Sequence, residues 1–163
     1  LGGGCPETDT DSDGIVDALD NCPNIAGAKT NAGCPLDVNT KEGYSNLVSE
    51  LGISIRNVYF DTDKDFIRKE HIKELNELSE FLIKSPQVKV GMSGHTDERA
   101  TNEYNDDLSK RRVEAVMFYL INRGVNRRQI VADYYGEINP ADLRHEEPGW
   151  QLNRRVELRL IFE

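Results

Sequence analysis

Residues 93–112, SGHTDERATNEYNDDLSKRR, sit at a junction between two kinds of periodicity. Just upstream, Val88, Val90 and Met92 alternate with Lys89, Gly91 and Ser93, the pattern of a strand with one buried face. Just downstream, Leu108, Val113, Val116, Met117 and Leu120 recur at helical spacing, which predicts a helix from about Asn105 to Arg123. Gly124 is a natural residue to end it. Asp97 and Arg112 thus lie at the two ends of a loop that runs into a helix.

Outward from this junction the patterns continue. Ile53, Ile55, Val58 and Phe60 alternate with a phase slip at Arg56–Asn57, which predicts a strand with a bulge. Ile67, Ile72, Leu75, Leu78 and Leu82 predict an amphipathic helix over 67–84, with Pro86 after its end. Residues Ile130 to Tyr135 read as a strand. Val156, Leu158, Leu160 and Phe162 alternate with polar residues and give a final strand. The expected order is β-α-β-α-β-loop-β, an α/β (α+β) sandwich with helices packed on a small mixed sheet.

Residues 1–36 differ in kind. They are rich in Gly, Asp, Asn, Cys and Pro, show no apolar period, and need a metal or a disulfide to hold a shape. Residues 37–50 read as a linker, so the expected organisation is 1–36, 37–50 and 51–163. The net charge of −9 is concentrated at this end. Glu7, Asp9, Asp11, Asp13, Asp17, Asp20 and Asp37 against Lys29 alone supply −6 of it. The remainder is nearly balanced, which argues against nucleic acid as a partner, since phosphate backbones call for a basic surface. No apolar run approaches the roughly 20 residues of a membrane helix. The chain begins with Leu1 and carries no visible signal peptide. It therefore reads as a fragment or processed product, with any membrane attachment through a missing N-terminal part.

Asp9, Asp11, Asp13, Asp17 and Asp20 fall at positions 1, 3, 5, 9 and 12 of an EF-hand-like loop, Gly14 falls at position 6, and Ile15 offers its carbonyl at position 7. Carboxylates at every second residue converge on one point when such a loop wraps, which suits a large hard cation such as calcium. Cys5, Cys22 and Cys34 have no histidine near them. A disulfide in an oxidising compartment is the expectation rather than zinc, with one cysteine left over.

The stretch 93–112, with G-H-T-D, a polar loop, Y-N and L-S-x-x-R, resembles the signature of the outer membrane protein A (OmpA)-like C-terminal domain. The resemblance extends over about 57–163. It includes Tyr59-Phe60-Asp61, Gly136-Glu137 and Asn153-Arg154-Arg155-Val156. It implies a peptidoglycan-binding module of the Gram-negative envelope, lying at the periplasmic face of the outer membrane. It further implies a pocket for the meso-diaminopimelate of the stem peptide. There Asp97 would pair with an ammonium and Arg112 with a carboxylate. Backbone groups near Phe60 and Asp61 would hold further carboxylate oxygens, and Thr96, Asn105, Leu108 and Arg154 would line or support the pocket. The same Asp97 and Arg112 can equally bridge the loop to the helix when the pocket is empty. Ala100, Tyr134 and the loop 138–152 depart from the usual family pattern.

Residues 9–23 resemble the thrombospondin type 3 repeat, D-x-D-x-D-G-x-x-D-x-x-D-x-C-P. That resemblance implies a structural calcium on Asp9, Asp11, Asp13, Ile15, Asp17 and Asp20. It also implies a Cys22–Cys34 disulfide, with Cys5 as the tail of an upstream repeat; Cys5–Cys22 is the other pairing. Ser93, His95, Asp97 and Ser109 are the residue types of a hydrolytic triad, but no nucleophile elbow or activated Cys–His pair accompanies them. The expected protein is a non-catalytic wall anchor. The alternative is a calcium-dependent adhesion or spacer protein with the C-terminal domain as scaffold.

Overall fold

The computed structural model describes residues 8–27, 29, 32–35 and 40–162. The chain divides into two compact units, Leu1–Ile53 and Ser54–Glu163. In the first, Cys22 and Cys34 form a disulfide with their Cα atoms 5.0 Å apart. Cys5 lies outside the described residues. The stretch read as a linker forms a helix, α1 (Lys41–Glu50), started by Thr40, whose Oγ1 accepts from the Gly43 N–H at 3.0 Å. Its apolar residues are too sparse to give a helical stripe, so the cap was its main signal.

The second unit runs β1 (Val58–Tyr59), α2 (Ile72–Lys84), β2 (Lys89–Gly94), α3 (Asn102–Asn122), β3 (Ile130–Tyr134), α4 (Gly149–Asn153) and β4 (Arg155–Ile161). The sheet order is β1-β4-β2-β3. β2 and β3 are parallel, and β4 is antiparallel to both β1 and β2. The mixed sheet and its helices match the α/β expectation. Val90 and Met92 of β2 and Val156 and Leu160 of β4 are buried together with Leu75, Leu78 and Leu82 of α2 and Val113, Val116 and Leu120 of α3.

Three local departures matter. The strand expected over 53–60 is only two residues long, paired through Val58↔Val156 and Tyr59↔Arg155. The Tyr59 N–H donates instead to His71 Nε2 at 3.1 Å, so this edge strand is tied to the turn before α2 rather than to a longer ladder. His71, which reads as a surface position in sequence, is buried by that contact. α3 begins three residues early because Thr101 caps it, its Oγ1 accepting from the Tyr104 N–H at 3.2 Å. The loop 138–152 contains the short helix α4 at its end.

Gly124 ends α3 as expected. It has φ +106°, its N–H donates to the Ile121 carbonyl, and Val125 N–H donates to the Leu120 carbonyl, the paired bonds of a Schellman motif. Gly94 is needed for a different reason. A Cβ there would come within 2.5 Å of Val113 Cγ2 and closer still to the Ser109 carbonyl, so β2 and α3 can touch only at a residue without a side chain. That close approach sets the end of β2 beside the middle of α3, and with it the distance between Asp97 and Arg112.

Candidate functional site

A cleft of about 650 Å³ opens between the loop after β1 and the loop after β2. Thr62 and Asp63 line it from the first loop, Thr96, Asp97, Arg99 and Ala100 from the second, and Tyr104, Asn105, Leu108 and Arg112 from α3. Five of the residues expected from sequence therefore meet here: Thr96, Asp97, Asn105, Leu108 and Arg112. Phe60, Asp61 and Arg154 stand behind them.

Arg112 is fully buried at the base. Its Nε donates to the Lys64 carbonyl at 2.9 Å, Nη1 to the His95 carbonyl at 3.0 Å and Nη2 to the Asp61 carbonyl at 3.2 Å. The Phe60 ring lies 5.2 Å from its guanidinium carbon. Burial above all pushes its pKa down to about 10, against the pull of Asp97, so it remains a cation at neutral pH. A guanidinium has five N–H donors. Three bonds to carbonyls leave two of them without a partner among the described residues.

Asp97 does not bridge to Arg112. Its Oδ1 accepts from the Arg99 backbone N–H at 3.1 Å and Arg99 Nε at 3.3 Å, and its Oδ2 accepts from Arg99 Nη2 at 2.8 Å and Arg154 Nη1 at 3.2 Å. Burial raises its pKa, but the hydrogen bonds from Arg99 and Arg154 outweigh it and hold the carboxyl below its ordinary value. Arg154 is itself clamped. Its Nε donates to the Phe60 carbonyl at 3.1 Å, Nη1 also to Glu147 at 2.7 Å, and Nη2 to Gln151 at 3.1 Å. The Asp61 carboxylate faces away to Arg68 at 2.6 Å, while its carbonyl serves Arg112. Thr96 Oγ1 is buried and, among the described residues, has no hydrogen-bond partner, and Thr96 lines the cleft.

Arg99, Thr62 and Glu147 were not singled out by sequence reading. Arg99 sits two residues after an aspartate in a polar loop, the spacing at which an Asx turn returns the chain to its own side chain, and that was its available signal. Glu147 reaches Arg154 only because of the local turn before α4, which no periodicity announces. Ser109, a residue type for catalysis, is a structural residue: its Oγ donates to the Asp106 carbonyl and accepts from the Gly136 N–H. His95 is buried against Tyr135, ring centroids 5.6 Å apart, with neither ring nitrogen hydrogen-bonded.

In the N-terminal unit, carboxylate oxygens of Asp9, Asp11 and Asp13 gather within 4.8 Å of one another. Asp9 Oδ1, Asp11 Oδ2 and Asp20 Oδ2 are buried without a hydrogen-bond partner among the described residues. Their other oxygens accept backbone N–H groups, Gly14 to Asp9, Asp13 to Asp11 and Cys22 to Asp20. Burial first, then the charges of Asp13, Asp20 and Asp9, raises the Asp11 pKa against the Asp13 N–H. Asp9 and Asp11, which belong to both sets, give a cluster of carboxylates with bare oxygens that fits a cation. Asp17 stands apart, since both its oxygens accept from Thr10.

A model of the OmpA family matches residues 59–154. The chain belongs to the OmpA family. A thrombospondin type 3 repeat model also matches residues 1–30. Relatives of this OmpA-family chain include the peptidoglycan-associated lipoprotein of Pasteurella multocida, 42% identical over 71% of this chain and 76% of the relative. The peptidoglycan-associated lipoprotein of Haemophilus influenzae is 37% identical over 89% and 92%. The crystal structure of the peptidoglycan-associated lipoprotein from Burkholderia pseudomallei is 37% identical, with TM-score 0.64, over 65% of this chain and 90% of that one. The C-terminal domain of Helicobacter pylori MotB, 24% identical with TM-score 0.61, shares the fold. With these relatives, the OmpA-family domain is a binding module and not an enzyme.

Proposed function

We propose that the protein binds peptidoglycan non-covalently through the diaminopimelate of its stem peptide and so ties the outer membrane to the cell wall. The observation that carries this reading is that Asp97 and Arg112 line one cleft without bonding to each other. The free end of diaminopimelate carries an ammonium and a carboxylate on the same carbon. Arg112 has two N–H groups in a planar fork for the carboxylate, which a lysine would not offer. Asp97 is the acceptor for the ammonium, and the unpartnered Thr96 hydroxyl supplies a further contact. The names of the relatives support the wall as partner. Many such cleft contacts along a polymer hold firmly even when each is weak.

The N-terminal repeat carries a structural calcium. The thrombospondin-type match and the three bare carboxylate oxygens support this. Asp9, Asp11 and Asp13, joined by Asp20, would hold the ion, which would neutralise their mutual repulsion and stiffen the repeat.

The test is co-sedimentation with purified sacculi of the wild type, Asp97→Asn and Arg112→Ala. Both folded variants are expected to lose the wall. Normal sedimentation of both would overturn the site assignment and leave the adhesion or spacer reading.

A further inference from the structure

The acceptor meant for a ligand is already full. A carboxylate offers about four lone-pair positions. Asp97 has four donors on it, three of them from Arg99 and one from Arg154. An incoming ammonium gains no bond to Asp97 until one donor leaves. Arg154 is not free to leave: its side chain is 5% exposed and is held by Phe60, Glu147 and Gln151 as well. The Arg99 backbone N–H is held by the turn. The Arg99 side chain is different. It is 34% exposed, and its other contacts lie on the rim, to Thr62 Oγ1 at 3.0 Å and over the Trp150 ring at 4.3 Å.

We propose that Arg99 is a specificity residue: a resident cation that occupies Asp97 in the empty cleft and gives it up to the ammonium of the ligand. The inference rests on the reading of the cleft as the site for the zwitterionic end of diaminopimelate. Exchange of one cation for another leaves the charge around Asp97 unchanged, so the buried carboxylate is never left unpaired. The long guanidinium stem of Arg99 swings into water, where its head is well solvated. A ligand that brings a carboxylate alone can reach Arg112 but cannot replace Arg99. Only a ligand with both charges close together completes the exchange. The resident arginine thus favours a ligand that brings both charges over one that brings either alone.

Displacement of Arg99 also uncovers the ring of Trp150, the single tryptophan of the chain. Its fluorescence therefore reports the exchange separately from the affinity. The experiment is titration of a muropeptide carrying meso-diaminopimelate into the full chain as wild type, Arg99→Ala and Arg112→Ala, following calorimetry and tryptophan emission together. Wild type is expected to bind with an emission change that saturates along the calorimetric curve. Arg99→Ala is expected to bind about three- to tenfold tighter, the modest gain from removing a partly exposed competing ion pair, with most of the emission change gone. Arg112→Ala is expected to lose binding. Arg99→Gln, which removes the charge but keeps a polar side chain, replaces Arg99→Ala if that variant does not fold, and is expected to bind tighter than wild type too. Unchanged or weaker binding by the Arg99 variant, or wild-type binding without an emission change, overturns the resident-cation role while leaving wall binding intact. No binding by wild type overturns the wall-binding reading and the role of Arg99 with it.

Discussion

Arg154 Nη1 donates to Asp97 Oδ2 at 3.2 Å, joining the start of the last strand to the loop after β2. Both side chains are almost wholly buried, 5% and 11% exposed. Replacing Arg154 with alanine strips a buried carboxylate of a partner and leaves the Phe60 carbonyl without its Arg154 donor. The expected cost is about 3 kcal/mol, the range for a broken buried pair, together with weakened binding to sacculi. Urea unfolding of Arg154→Ala beside wild type measures it. A midpoint within error of wild type would mean that Arg99 alone suffices to hold Asp97.

His95 supplies a pH dependence of known sign. Burial above all, aided by Arg155 and opposed by Glu157, lowers its pKa from the ordinary 6.5 to about 4. Between those values the unfolded chain binds a proton that the folded chain refuses, so stability falls as pH drops from 6.5 towards 4. The full lowering corresponds to about 3 kcal/mol. His95→Phe keeps the stack on Tyr135 and removes the titrating group. Its stability curve should be flatter than that of wild type over this window. Asp97, with its pKa lowered, loses its contribution only as pH falls below the ordinary carboxylate range, so it does not confuse the comparison. Parallel curves for the two proteins would show that the pH dependence lies elsewhere.

Much of this arrangement was readable before any coordinates. The alternation in 88–92 and the helical stripe from Leu108 to Leu120 are strong because each element buries one face against the other, and burial is what writes a period into a sequence. That junction put Asp97 and Arg112 at the two ends of one loop; a shared pocket was what the resemblance to the OmpA-like domain implied. What escaped was local and polar. α1 is carried by its Thr40 cap and has no clear apolar stripe. β1 is short because Tyr59 gives its N–H to His71, a long-range contact that alternation cannot encode. The alternative in which Asp97 bridges to Arg112 in the empty cleft is not what forms, because Arg99 and Arg154 hold the same carboxylate. Four charges at similar distances leave no sequence signature of which will pair.

Gly94 should tolerate no side chain. Gly94→Ala would push a methyl group into the Ser109 carbonyl and Val113, and backbone gives way poorly. A loss of about 1–3 kcal/mol is expected from overpacking. Because β2 leads into Asp97 and α3 carries Arg112, the same shift should weaken sacculus binding in the fraction that folds. A variant with wild-type stability and wild-type binding would contradict the close approach.

Calcium should matter to the N-terminal unit alone. Gly14, Ile15 and Gly27 donate backbone N–H groups to Asp9 and Asp13, so their hydrogen exchange reports the order of the loop. Chelation from a calcium level of 100 times Kd should speed their exchange by up to about a hundredfold, while amides of β2 and β4 stay unchanged. Asp11→Asn should need more calcium for the same protection. Exchange that ignores the chelator would remove the ion from the account.

Arg112 meets carbonyls from residues 61, 64 and 95 with the same guanidinium that faces the cleft. On the proposed reading, recognition and folding share one side chain. A lineage that no longer needed the ligand would still be penalised for replacing this arginine, because three loop carbonyls would lose a donor. Selection for a chain that folds is enough to keep this arginine in place, and the proposed site can outlast the need for it. Its retention in a divergent relative would then testify to the architecture before it testified to the ligand.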